Sequence, residues 1–261
     1  MREALKEILE VIRYRELLRN LVIRDIKVRY KRSVLGFAWV MLNPLFMMLI
    51  LSLVFSTLFK VTVANYTAYV LSGIIFWNFF SQGTSVALLG FTGNSSLLKK
   101  VYIPKTVFPL SIIISALINW ILSLIPLFVI LLITGTRISY HIVFLPAGII
   151  VLFLFSFGVS LILSTITVFF KDMIYIYGVL LMAWMYLTPV FYPPSIVPER
   201  YRLFLSLNPL YHFIELFRGC LYTDSPLIYE HFIYGMAFSA LALLAGWAFY
   251  HRYKDRIVYY L

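Results

Sequence analysis

Residues 24–44 read RDIKVRYKRSVLGFAWVMLNP. Six of the first nine are charged, Arg24, Asp25, Lys27, Arg29, Lys31 and Arg32, and no further charge appears until Lys60. A dense cationic run that stops against an uncharged apolar stretch fits the cytoplasmic face of a membrane. Cations meet the anionic leaflet there, and the hydrocarbon beyond excludes them. The stretch predicts a spanning helix with the N-terminus inside.

The rest of the chain agrees with that reading. With 62% hydrophobic and 13% charged residues over 261 positions, the composition excludes a soluble single-core domain and points to a multi-pass membrane protein. A net charge of +11 could suit a nucleic-acid partner, but the cations follow topology rather than one face, so none is expected. Of the 22 Lys and Arg, only Lys60, Arg137, Arg200, Arg202 and Arg218 fall in segments assigned to the outside. The single cysteine, Cys220, excludes an intrachain disulfide framework.

Taken in order, Leu5, Ile8, Leu9 and Ile12 recur at helical spacing, and Leu17, Leu18, Leu21 and Val22 continue the pattern after a phase shift near residues 13–16. This predicts an amphipathic interface helix over the first 35 residues, bent near its middle, rather than a span or a cleaved signal. Spans are predicted at 36–58, 67–90, 106–134, 142–170, 173–191 and 231–250, each long enough at ~1.5 Å per residue to cross, or nearly cross, a core of ~30 Å. Asn43-Pro44 interrupts the first, freeing the carbonyl of Val40. Asn78 and Gln82, four apart in the second, share a face and serve either helix packing or a polar path. Lys171-Asp172 is so short a link that the fourth and fifth spans must be antiparallel neighbours.

Two connecting segments stand out. Residues 93–105, GNSSLLKKVYIPK, predict a short helix with an apolar side formed by Leu97, Leu98 and Val101, ended by Pro104. Residues 192–230 predict a pair of short outer helices, the second opened by Asn208-Pro209 and stopped at 224–226. Within it, Glu215 and Arg218 are spaced to neutralise each other, and His212 has no second ligand at metal spacing, so no metal is expected. The residues after 250 form a short basic tail.

None of these spans carries Asp, Glu, Lys or Arg inside it, so the bundle is expected to hold no buried ionic group and no proton-coupling machinery. No GxxxxGK[ST] loop is present, and Ser52, Ser160 and Ser164 have no neighbouring base in sequence. The chain is therefore expected not to be an enzyme, and active transport through it must draw energy from a separate subunit. The 23 Phe, 19 Tyr and 5 Trp exceed what interface belts require and leave aromatic faces for a long substrate.

Four separated motifs carry a family resemblance: RDIKVRYKRSVLGFAWVMLNPL at 24–45, NSSLLKKVYIPK at 94–105, VFFKDM at 168–173 and SLNPLYHFIELFRGCLY at 206–222. Together they resemble the permease subunits of the ABC-2 polysaccharide exporters, which serve O-antigen, capsule and teichoic acid polymers, and among these the chain is most similar to the O-antigen permeases. The resemblance implies one all-α transmembrane domain over 1–261, with six spans, an N-terminal amphipathic interface helix and re-entrant outer helices between spans five and six. It implies a homodimer with two copies of a nucleotide-binding ATPase, which binds the ATP and magnesium, so that this chain needs no cofactor. It implies export of a lipid-linked polysaccharide through the inner membrane, with both termini cytoplasmic; a capsule or teichoic acid polymer, or a small hydrophobic compound, is the alternative cargo. Asn94, Ser95, Ser96, Leu97, Leu98, Lys99, Lys100, Val101 and Tyr102 would form the helix that couples to the ATPase. Arg24, Lys27, Arg29, Lys31 and Arg32 would lie near the lipid headgroup at the entrance, and Trp39, Asn43, Tyr175, Met182 and Tyr186 would contact sugar along the path.

Overall fold

The computed structural model describes residues 2–57, 65–223 and 227–261. The expected loop around Lys60, the stop at 224–226 and the side chains of Leu5 and Ile8 lie outside the described residues. Among those described the chain is all helical: α1 (Arg2–Arg13), α2 (Arg15–Tyr30), α3 (Trp39–Thr57), α4 (Tyr66–Ala87), α5 (Ser95–Leu98), α6 (Val107–Ile133), α7 (Leu145–Phe169), α8 (Met173–Leu187), α9 (Arg202–Ser206), α10 (Pro209–Leu221) and α11 (Ile228–Tyr260).

Among the described residues four segments are long and apolar enough to cross a membrane: Gly36–Val54, Val107–Ile133, Tyr140–Phe169 and Ile228–Tyr260. A fifth crossing exists if α4 and the Thr92–Leu98 helix, bent 56° from it, are taken together. Helix α8 has only 15 residues, about 22 Å, and falls short of a ~30 Å core by itself. Helix α11 runs on through the expected tail to Tyr260, because Ile257 is fully buried against the end of the bundle that carries α1, α2 and α5, here called the basic end. The N-terminal amphipathic segment is two helices broken at Tyr14, where the apolar phase shifts. Between α2 and α3 the chain turns sharply with Arg32 and Gly36 both at positive φ, 66° and 49°; glycine supplies the second at no steric cost.

The main core is built from one face of α6 and nearly all of α4, which is buried along most of its length. Helices α7 and α11 pack along most of their lengths, with Gly158 and Gly246 letting the backbones touch. The short helix α10 sinks into this bundle rather than lying on it, with ten of its 13 residues buried. Asn208 caps it, accepting from the Leu210 N–H at 3.1 Å, and Pro209 sits at its first position.

That helix corrects one expectation. Arg218 is not an outer-surface cation balanced by Glu215 alone; it is 2% exposed. Its guanidinium donates to the Tyr69 hydroxyl (2.7 Å), to the carbonyls of Pro189 (2.8 Å), Val190 (3.0 Å) and Tyr69 (3.2 Å), and to Glu215 (3.2 Å). It also lies 3.5 Å from the centroid of the Tyr69 ring. The bundle thus holds a buried ion. An arginine stays charged in proteins, so it cannot shuttle protons, and its fork of donors is spent on backbone.

Two stability experiments follow from this packing. An added Cβ at Gly158 would sit 2.5 Å from the Ala242 carbonyl, so Gly158→Ala should cost ~1–3 kcal/mol, read as a lower Tm. Gly178→Ala, whose Cβ meets open space, should leave the Tm of the isolated chain unchanged or slightly raised. Arg218→Ala should cost about 3–5 kcal/mol, as expected when one partner of a buried charge network is removed. Arg218→Lys should restore only part of that, because a point charge cannot reproduce the fork.

Candidate functional site

The sequence pattern that bends the N-terminus into two helices also lays them across the basic end, where they meet the connecting segment after α4. Glu7 accepts from the Tyr250 hydroxyl at 2.7 Å and from Thr106 at 3.3 Å. Tyr14 donates to the Tyr102 carbonyl at 3.2 Å, and the Lys105 ammonium donates to the Lys254 carbonyl at 2.9 Å. Burial holds the Lys105 ammonium below its usual pKa. Arg24 of α2 donates to Asn94 at 3.1 Å, and the same Asn94 side chain donates back to the Gly90 carbonyl at 2.9 Å. Under these bonds Leu21, Phe91, Leu98, Ile103, Val107, Phe108, Val168, Tyr250 and Ile257 form a second apolar core. The α1, α2, α11 and α5 regions are therefore one braced unit.

The segment 94–102 divides into two faces within that unit. The helix itself is short, Ser95–Leu98, preceded by a 3-10 turn at Thr92–Asn94, and Asn94 is spent on Arg24 and Gly90 rather than on capping it. Leu98 is buried in the second core, with Leu97 packed against it. Lys99, Lys100, Val101 and Tyr102 face outward, Tyr102 at 85% exposure, while Ser95 and Ser96 are only partly covered or exposed.

Above α2 lies a cleft of about 210 Å³, walled by α2, α3, α4 and α6. The expected pair Asn78 and Gln82 lines it, as do Trp39 and Asn43 of the expected path and Arg29 of the basic run. Arg29 donates to the Gln82 side-chain oxygen at 3.0 Å, and Tyr30 donates to that of Asn119 at 3.4 Å. Val40 and Pro44 line the same wall. Lys27 and Lys31 lie with Arg24 along a separate groove of α2, and Arg32 occupies the exposed turn beyond it.

Tyr175, Met182 and Tyr186 lie elsewhere. They fall on an exposed stripe of α8, with 78% of Tyr175 accessible, and none of them lines the cleft. At the far end, His212 is buried, its Nδ1 3.1 Å from His231 Nδ1 and its Nε2 donating to the Ser206 carbonyl at 2.8 Å. No group of three His, Cys, Asp or Glu able to hold a metal occurs among the described residues. Asn119, Trp120 and Tyr30 were absent from the sequence-based set. The signal for Asn119 was present, since it is the one carboxamide in an apolar helix of 27 residues.

The family described as ABC-2 type transporter matches residues 16–222. The chain is 31% identical over 235 residues to the O-antigen export system permease protein RfbA of Klebsiella pneumoniae, covering 89% of this chain and 90% of that one. It is 31% identical over 245 residues to the O-antigen export system permease protein RfbA of Myxococcus xanthus, covering 92% of each. It is 23% identical over 241 residues to the capsule polysaccharide export inner-membrane protein CtrC of Neisseria meningitidis serogroup A, covering 91% of each.

Proposed function

This chain belongs to the ABC-2 type transporter family, and from that premise we propose that it is the membrane permease subunit of an ATP-driven exporter of lipid-linked polysaccharide. The observation that carries the reading is end-to-end likeness, at 31% identity, to permeases named for O-antigen export. The more distant likeness to a capsule exporter supports polymer cargo in general and favours it over a small hydrophobic compound.

In this reading the chain is multi-pass in the inner membrane, with the basic end and both termini in the cytoplasm. The six crossings are the four long segments, α4, and α8 continued by the non-helical stretch 188–192. The chain pairs with a second copy of itself and with two ATPase subunits that bind ATP and magnesium. It carries out no catalysis and needs no cofactor of its own. The exposed faces of α3 and α8, with Tyr175, Met182 and Tyr186, are apolar surfaces that a second copy would cover around the path. Lys99, Lys100, Val101 and Tyr102 meet the ATPase, while Leu97 and Leu98 anchor the segment in the braced unit. Arg24, Lys27, Arg29, Lys31 and Arg32 attract the anionic lipid headgroup.

The reading is tested by purification and by two sets of variants. An ATPase subunit should co-purify with the chain, and export should stop without it; export that persists in its absence refutes the reading. Val101→Asp with Tyr102→Ala should reduce polymer-stimulated ATP hydrolysis at least tenfold while leaving membrane insertion intact. For orientation, Cys220 is fully buried and its thiol is pushed up to about 11 by that burial, so it is a silent background. In a Cys220→Ser chain, Leu203→Cys should react with a membrane-impermeant thiol reagent in intact spheroplasts, and Tyr102→Cys only after lysis.

A further inference from the structure

Two buried donors beside the cleft have no acceptor among the described residues. Asn119, 8% exposed, accepts the Tyr30 hydroxyl through its oxygen, but its amide nitrogen has no hydrogen-bond partner among the described residues. Trp120, 3% exposed, lines the same cleft, and its indole N–H is likewise unpartnered. Buried polar groups in folded proteins are overwhelmingly paired; both orphaned nitrogens are covered by protein in the empty cleft, so an acceptor reaches them only when this wall shifts around a ligand.

The remaining walls define what the acceptor belongs to. Asn43, Asn78 and Gln82 present carboxamides, which both donate and accept, and Ser123 adds a hydroxyl. Trp39 and Phe79 present ring faces. No carboxylate lines the cleft, so it has nothing to neutralise a cationic ligand, and its one charge is the Arg29 guanidinium. Its volume equals that of roughly seven waters in the liquid, which is the scale of one six-membered ring with its hydroxyls. Carboxamides converging on hydroxyls, aromatic faces covering C–H surface and a single guanidinium for a phosphate together suit a sugar phosphate.

We propose that the cleft between α2, α3, α4 and α6 binds one hexose ring and its attached phosphate, with Asn119 and Trp120 donating to ring or hydroxyl oxygens and Arg29 to the phosphate. This deepens the exporter reading, on which it rests for the source of the ligand: the first sugar of a lipid-linked glycan, held behind the first span rather than along the exposed α8 stripe. A glycerol or ethanolamine phospholipid headgroup shares the phosphate but has no ring to lie against Trp39 and Phe79.

The test uses the full chain in phosphatidylcholine nanodiscs, with binding read by saturation-transfer NMR. The probes are the 1-phosphates of glucose, galactose, mannose and N-acetylglucosamine, set against glycerol phosphate as the headgroup mimic and inorganic phosphate. At least one hexose phosphate should bind ten times more tightly than either control, and Asn119→Leu and Asn78→Leu should each weaken it at least tenfold. Asn119→Leu should change the Tm little, because the Tyr30 bond it removes is long, 3.4 Å, and the amide nitrogen it removes is unsatisfied in the empty protein. Binding of none of the four, equal binding of glycerol phosphate, or binding unaffected by both variants overturns the proposal. So does a lowered Tm in Asn119→Leu accompanied by unchanged binding in Asn78→Leu. Binding is read on this chain alone, so its failure leaves the ATPase co-purification result standing, and the reverse holds equally.

Discussion

A backbone polar group in a low-dielectric bundle must find its partner inside the protein, and the far end of this structure is arranged around that requirement. Helix α8 stops at Leu187, and the chain continues non-helically through residues 188–192 beside the core. Its carbonyls are then accounted for one by one. Asn208 donates to Leu187 O, Arg218 to Pro189 O and Val190 O, Tyr66 to Phe191 O and Tyr69 to Tyr192 O. Only a guanidinium offers enough donors in a fixed fork to serve two successive carbonyls, a phenol and a carboxylate together. The cost of burying the cation is offset by those bonds, by Glu215 and by the Tyr69 face. Without Arg218 the break after α8 would leave orphaned acceptors next to α4.

The basic end meets a different demand. A short helix of four residues has no stability of its own, since helix nucleation is costly and propagation brief. Its position is fixed instead by Leu98 in the second core and by bonds to the flanking residues: Arg24 of α2 donates to Asn94, Thr106 donates to Glu7 of α1, and Lys105 donates to the Lys254 carbonyl of α11. The continuous helix α11, which has no break between the bundle and the basic end, makes that bracing stiff.

Much of this was legible in the sequence because it is written in composition and period. The charge edge at Arg32, the uncharged stretches and the Asn208-Pro209 cap are local signals, and a helix follows from them by residue type. Arg218 was misread for the opposite reason. Its spacing from Glu215 describes a neighbour on the same helix, whereas its burial depends on Tyr69 and on Pro189 and Val190, which lie 149, 29 and 28 residues away. The tail after 250 looked like a free basic segment because the partner of Ile257 lies in the distant second core. Asn119 was passed over because one amide in an apolar helix changes its mean hydropathy little. The end of α8 also escaped, although Pro189 is a local signal for it: the proline pushes Thr188 into an extended conformation, φ −105° and ψ 135°, and the carbonyls so freed are met by the donors described above.

One element ties the two ends of this reasoning together. Helix α2 carries Arg24, bonded to Asn94 in the short connecting segment, and Arg29, bonded to Gln82 at the cleft, about 7.5 Å apart along its axis. Leu21 and Val22 are buried on the same helix, and Ser115 of α6 reaches the Val22 carbonyl at 3.5 Å, so α2 is seated on the bundle rather than floating at its edge. A displacement of Asn94 has two outcomes: the Arg24 bond breaks, or α2 shifts and Arg29 moves relative to Gln82. The two arginines are five residues, about 1.4 turns, apart, so a shift of the intact helix moves both. The structure thus bonds one helix both to the short connecting segment and to the polar cleft, so the basic end and the cleft share a single rigid element.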